Sequence, residues 1–268
     1  MKKLFNSSLV ILLFSLFSCA SVPIPQVQDQ NIPERIENSI VYVQVTLTVE
    51  IDKSKMESDD MSKKSFMKIS TPVALGENIK KVSGSGSGAA IFVKNQKINT
   101  TTILTAEHVC SMEKGFPSFV TVLKKEVTIT NINGEKYPGI IVKKDSENDL
   151  CLVEIPVTMQ TVEIASKEPK RGEKAFTMGY PGGIYLKNLV NKYVGYCSGI
   201  VSGMSYNSYT NESIQKTIFS IYSFPGSSGS SIFNSSGQVI GIVQAGSTRI
   251  LFFTISSTVS TIKEFIEK

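Results

Sequence analysis

The chain holds one histidine, His108, in the run ILTAEHVC, and two residues that an imidazole can work with lie downstream of it. Asp149 opens the apolar run LCLVEI, where a carboxylate would stand at the point a strand leaves a loop; Asp145 and Glu147, in the preceding polar turn, read as solvated. Ser228 sits in PGSSGSSIFN as the serine of Gly-x-Ser-Gly. A serine hydroxyl is a poor nucleophile at neutral pH and needs a base within hydrogen-bond reach, itself oriented by a third group. Imidazole suits the middle role because its pKa lies near working pH, and a carboxylate behind it fixes the tautomer and stabilises the imidazolium. Each of the three is a weak signal alone; the order His, Asp, Ser, each beside a fitting strand or turn, is a strong one.

The elements that must carry these groups are short and apolar. From GSGSGAAIFV onward the runs AAIFV, TTILTA, FVTVL, VTITNI, GIIVKK, LCLVEI, AFTMGY, GIVSG, TIFSIY, SIFN, VIGIVQA and ILFFTI are separated by turn residues. Asn133-Gly134 between two of them is a strong hairpin signal. NSIVYVQVTLTVEI, ending at Ile51, reads as the first strand, and the spacing of the rest predicts an all-β barrel or sandwich. Only the tail is helical in pattern, with Val259, Ile262, Phe265 and Ile266 on one face.

With those motifs in place, residues 83–268 resemble a chymotrypsin-fold, trypsin-like serine protease, most closely the HtrA/Deg type. GSGSGAAIF resembles the family's glycine-rich opening strand, ILTAEHV its histidine motif and DLCLVEI its aspartate strand. GEKAFTMGYPGG with CSGIVSG resembles its central segment, and PGSSGSSIFNSSGQVIGI its nucleophile motif. The resemblance implies two six-stranded antiparallel β-barrels with a C-terminal helix. It implies His108 as base, Asp149 as its orienter and Ser228 as nucleophile, with the backbone N–H groups of Gly226 and Ser228 as oxyanion hole. It also implies a polypeptide substrate lying along Gln244-Ala245-Gly246 as an added strand, and a specificity pocket with Tyr222 near its floor and Gly246 on a wall; Tyr222 packed outward as core is the alternative. No acid occupies the floor position, so strict cleavage after Arg or Lys is not expected, and a small or apolar preference is.

This chain departs from the family pattern at Ser227 for the usual asparagine, Ser231 for proline and Ser230 where many relatives have glycine. No triad group is lost. The PDZ segment that often follows such domains is not expected here, which removes the basis for PDZ-peptide regulation or cage assembly; a simpler oligomer stays open. The glutamyl endopeptidases, which also resemble the Ser-Gly-Ser motif, recruit a second histidine that this chain does not have. The α/β-hydrolases run Ser, Asp, His, so the chain order argues against that version of the triad, an esterase-like hydrolase. No metal or organic cofactor is implied.

The first residues, MKKLFNSSLVILLFSLFSCAS, have a basic start, an apolar stretch shorter than the ~20 residues of a membrane span, and small residues after it. This predicts a signal peptide over 1–18. Leu16-Phe17-Ser18-Cys19 resembles a bacterial lipobox, which implies lipidation at Cys19 and a protein held at the bacterial envelope membrane, on the outer membrane where the host has one; the alternative is a secreted or periplasmic protein. Residues 19–36, with three prolines, read as a tether, 37–268 as the protease domain, and the charged, methionine-dotted stretch 53–82 as a mobile insertion. A net charge of +5, two of it from Lys2 and Lys3, is too mild and too scattered to suggest nucleic acid. Beyond Cys19, Cys110, Cys151 and Cys197 allow at most one bridge, show no zinc spacing, and read as small buried hydrophobes.

Overall fold

The computed structural model describes residues 32–57, 73–183, 195–206, 215–246 and 252–268. The predicted signal peptide, Cys19 and residues 58–72 of the predicted insertion lie outside them.

The first barrel is built from β1 (Ile40–Ile51), β3 (Ile79–Ile91), β4 (Thr101–Thr105), β5 (Val120–Thr130), β6 (Lys136–Asp145) and β7 (Leu150–Ile155), with the two-residue β2 (Val73–Ala74) added beside β3. Its order is β1-β5-β6-β7-β4-β3, and β1 pairs back to β3 to close it. The second barrel runs β10-β13-β12-β11-β8-β9, from β8 (Lys174–Gly179), β9 (Gly195–Tyr206), β10 (Gln215–Phe219), β11 (Ser231–Phe233), β12 (Val239–Gly246) and β13 (Thr254–Ser257). Both are antiparallel throughout, the two-barrel architecture expected.

The period-2 alternation of strands sorts side chains into three apolar regions. On β1, Val41, Val43, Val45, Leu47 and Val49 fill the first barrel, while Ile40 and Tyr42 face the second. The same parity holds further on: Ile103, Cys151 and Val153 point into the first barrel, and Leu104, Leu150 and Leu152 toward its partner. Phe176, Met178, Tyr180, Phe233 and Ile242 meet them from the other side. Thus a dry layer joins the barrels, and any residue at a strand end beside it is held from both. Phe219, Ile221, Ile232, Ile240 and Val243 fill the second barrel.

Asn133-Gly134 does form the β5–β6 hairpin: Gly134 has φ +86°, its N–H donates to the Asn131 carbonyl at 3.0 Å, and the Asn131 N–H donates to the Glu135 carbonyl at 3.0 Å. The C-terminal helix spans Val259–Glu267 and buries Val259, Ile262 and Phe265, with Ile266 packed beside them. Its first turn is capped by Thr258, whose hydroxyl accepts from Thr261 N–H, and by Glu168, whose carboxylate accepts from the N–H groups of Val259 and Ser260 at 3.0 and 2.7 Å.

Two boundaries differ from the sequence reading. Ile32–Ile36 is a helical turn with Ile32 and Ile36 buried in the layer between barrels, so the end of the predicted tether belongs to the domain. Ile79–Val82, assigned to the insertion, lies inside β3, with Val82 fully buried against β1, and Lys53–Glu57 forms a helical turn. The runs FVTVL and VTITNI are one continuous strand, β5, because Lys124 between them faces solvent and Lys125 is paired with Glu113 at 2.7 Å.

Candidate active site

Asp149 and His108 are brought together across β4 and β7. Thr105, the end of β4, pairs with Cys151 near the start of β7, which sets the helical turn Glu107–Cys110 beside Asp149. The His108 Nδ1 lies 2.8 Å from Asp149 Oδ2 and 3.0 Å from Oδ1, and the His108 backbone N–H donates to Oδ1 at 2.9 Å. With Nδ1–H committed to the carboxylate, the lone pair sits on Nε2, the form a general base requires. The imidazole is 46% exposed and the Asp149 side chain 24%, so the ring is open to solvent while the carboxylate behind it is more sheltered.

Asp149 reaches this position through a left-handed backbone, φ +54°, a conformation more accessible to Asp and Asn than to most residues. The turn before it is organised by Asp145, whose Oδ1 accepts from the N–H groups of Glu147 and Asn148, both at 3.0 Å, while Oδ2 accepts from the Asn148 side-chain amide at 2.8 Å. Asp145 is therefore a structural part of the site rather than a solvated bystander, and Asp-x-x-Asn was the available signal. Burial pushes its carboxyl up, but the Asn148 and Glu147 hydrogen bonds and the Lys216 charge outweigh that and hold it below the ordinary value. A depressed carboxyl stabilises the fold fully above its unfolded value of about 3.9 and loses this as pH falls through the lower folded value. Asp145→Ala is accordingly expected to melt a few degrees below wild type at pH 7, with the gap closing toward pH 3 in a thermal-melt series.

Cys110 and Cys151 form a disulfide, correcting the expectation of unbridged cysteines. Each lies two residues past a member of the His108–Asp149 pair, so the bridge fastens the helical turn to β7 immediately behind them. Cys197 is the free, half-buried thiol among the described cysteines.

The serine turn is held by the first barrel. The Ser87 N–H donates to the Ser228 carbonyl at 2.8 Å, and the Ser87 Oγ donates to the Gly226 carbonyl at 2.8 Å and accepts from Tyr180 N–H at 2.8 Å. Thr105 Oγ1, three residues before His108, donates to the Ser87 carbonyl at 2.6 Å. Gly229 packs so closely here that a Cβ would meet Thr105 Oγ1, the Ser87 carbonyl and Ala106 N. The Ser228 turn thus lies directly against the segment that carries the imidazole. The hydroxyl of Ser228 itself forms no hydrogen bond among the described residues.

Two amides at this turn are aimed rather than spent. Phe224–Ser227 closes with a Ser227 N–H to Phe224 carbonyl bond of 2.8 Å and Gly226 at φ +94°, a type II arrangement. The Pro225 carbonyl accepts from Gly182 N–H at 2.7 Å and the Ser227 carbonyl from Ser230 N–H at 2.9 Å. A trans peptide points N–H opposite its C=O, so pinning these carbonyls fixes the Gly226 and Ser228 N–H directions. Neither amide donates to a backbone carbonyl among the described residues. Paired free amides beside a serine suit a developing oxyanion, and such donors are worth about 3–4 kcal/mol each. The positive φ and the close approach of Gly183 N and the Tyr180 carbonyl explain why position 226 has no side chain.

On the proposed binding edge, Ala245 and Gly246 are exposed at the end of β12, whereas the Gln244 side chain turns toward the first barrel. Tyr222 is not core: its ring packs at 4.2 Å against Phe224 and 5.9 Å against Phe252, both more than half exposed. Phe252 adopts φ +58°. Among the described residues, no group of three His, Cys, Asp or Glu forms a metal-ligand set, and no helix is long and apolar enough to cross a membrane.

Comparison with known proteins identifies a family and a shared fold. Residues 86–242 match a family model described as a trypsin-like peptidase domain. The chain is 29% identical over 162 residues to the "Serine protease Do-like HtrA" of Lactobacillus helveticus, covering 59% of this chain and 34% of that protein, so it spans about a third of that relative's length. Among solved structures it is similar to the HtrA-type protease AlgW with decapeptide (TM-score 0.62, 16% identity, 90% of this chain and 67% of that one). It is also similar to the serine endoprotease from Yersinia pestis (TM-score 0.56, 16% identity, 89% and 65%). At these identities the structural likeness speaks for the fold.

Proposed function

This chain belongs to the trypsin-like peptidase domain family, and from that premise we infer that it is a serine endopeptidase working through Ser228, His108 and Asp149. In this reading His108 Nε2 takes the Ser228 proton as Oγ attacks a substrate carbonyl, and Asp149 stabilises the imidazolium. The Gly226 and Ser228 amides hold the tetrahedral oxyanion. His108 then gives its proton to the leaving amine, and water hydrolyses the acyl-enzyme by the same route. The observation that carries this is the Nδ1–carboxylate contact of 2.8 Å beside two pinned, unspent amides. A fluorophosphonate probe tests it: labelling of the wild type that vanishes in Ser228→Ala supports a charged nucleophile, and no labelling of folded wild type points instead to a silent binding protein on a protease scaffold.

The substrate is a polypeptide added as a strand along the exposed Ala245-Gly246 edge, held by main-chain hydrogen bonds. Tyr222, Phe224 and Phe252 form an apolar rim with no carboxylate among them. A desolvated ammonium would find no partner there, so cleavage after small or apolar residues is expected over Lys or Arg by at least about tenfold in kcat/KM. Mapping cut sites on an unbiased peptide library checks this; a dominant Lys or Arg at the cleavage position would overturn it.

The Cys110–Cys151 bridge favours an oxidising compartment, which agrees with export through the 1–18 segment and anchoring by lipid on Cys19 at the bacterial envelope. Metabolic labelling with a fatty acid, lost in Cys19→Ala, tests the anchor.

A further inference from the structure

We propose that Gln244 and Lys216, both on the second barrel, are positioning residues that latch the Asp149 turn of the first barrel. The inference rests on the triad reading above.

Gln244 on β12 sends its side-chain amide across the groove, donating to the Asn148 carbonyl and, at 3.4 Å, to the Asp149 carbonyl. These are the two peptide units that set the left-handed turn presenting the carboxylate. An amide can serve as such a latch only with its NH2 toward the carbonyls. Lys216 on β10 enforces that orientation, because its ammonium donates to Gln244 Oε1 at 2.9 Å and an ammonium accepts nothing. The latch therefore needs both residues, and it ties the carboxylate to the barrel that bears Ser228.

Lys216 is half-buried and without a carboxylate within ion-pair distance among the described residues. Burial pushes its ammonium down, while the charges of Asp149, Asp145 and Glu147 push it back up.

Lys216→Met, which leaves nothing to hold the Gln244 amide in its latching orientation, is expected to lower kcat about tenfold with KM little changed. Lys216→Arg, which still donates to Gln244, is expected to keep the wild-type kcat. Gln244→Ala is expected to lower kcat about tenfold with KM little changed, the signature of a displaced catalytic group rather than lost substrate contact. Lys216→Leu serves the same kinetics should the Met variant not fold. A folded Lys216→Met protein with the wild-type kcat overturns the proposal, as does a Gln244→Ala protein changed in KM alone. A folded wild type that neither cleaves peptide nor takes up fluorophosphonate would sink the peptidase reading, whereas an active wild type whose Gln244 and Lys216 variants keep its kcat would sink this proposal alone.

Discussion

Ser228→Ala is expected to lower kcat/KM for peptide cleavage by about 10⁵-fold or more, with the melting temperature unchanged. The two halves of this expectation come from the same geometry. The hydroxyl has no hydrogen-bond partner among the described residues, so removing it breaks nothing that holds the turn. What holds the turn is main chain: the Ser228 carbonyl on Ser87 N–H, the Ser227 carbonyl on Ser230 N–H, and the Gly229 N–H on the Val243 carbonyl. The alanine protein should keep its fold and its oxyanion amides and lose only the nucleophile. Asp149→Asn is the informative companion. Asparagine also tolerates the left-handed backbone, so the turn survives, but its amide NH2 can face Nδ1 and favour the wrong tautomer, an effect of about 10⁴-fold in a triad. Steady-state kinetics and thermal melts on the purified variants measure both. Full activity in Ser228→Ala would remove the serine from the mechanism.

The second large effect is on stability. Replacing both Cys110 and Cys151 by alanine is expected to cost about 4 kcal/mol, from the entropy of closing a loop across a sequence separation of 41 residues. Both cysteines are fully buried, so in the folded protein the bridge is shielded from reductant and the cost appears when the chain opens. Urea unfolding with and without dithiothreitol should separate by that amount, and the alanine protein should match the reduced wild type. Activity should fall as well, because the bridge sits two residues from both His108 and Asp149. Coincident unfolding curves would show that the β4–β7 pairing alone secures the site.

Much of the site was legible because its parts are local motifs. HVC after an apolar run, D before LCLVEI and GSSG before SIF each carry their own strand or turn signal. What was hidden depended on pairs distant in sequence. Nothing in Cys110 or Cys151 announces the bridge until Thr105 is paired with Cys151. Ser87 lies in a glycine-rich run and shows no sign of chemistry, yet it binds the turn on both sides of Ser227. The reach of the Gln244 side chain to the Asp149 turn was hidden as well, because strand parity cannot say how far a long side chain will cross a groove. Ile32–Ile36 was hidden by composition: prolines nearby suggested a tether, although an i, i+4 isoleucine pair was present to be read.

The segment 156–173 that joins the two barrels also pairs with each, through Ile91–Val162 and Ile164–Val239. On the proposed triad, the base and the nucleophile come from opposite lobes. Were one copy to nick another along that connector, neither fragment alone would own a complete set of reacting groups, and activity would outlast the cut only while the apolar layer keeps the two halves together.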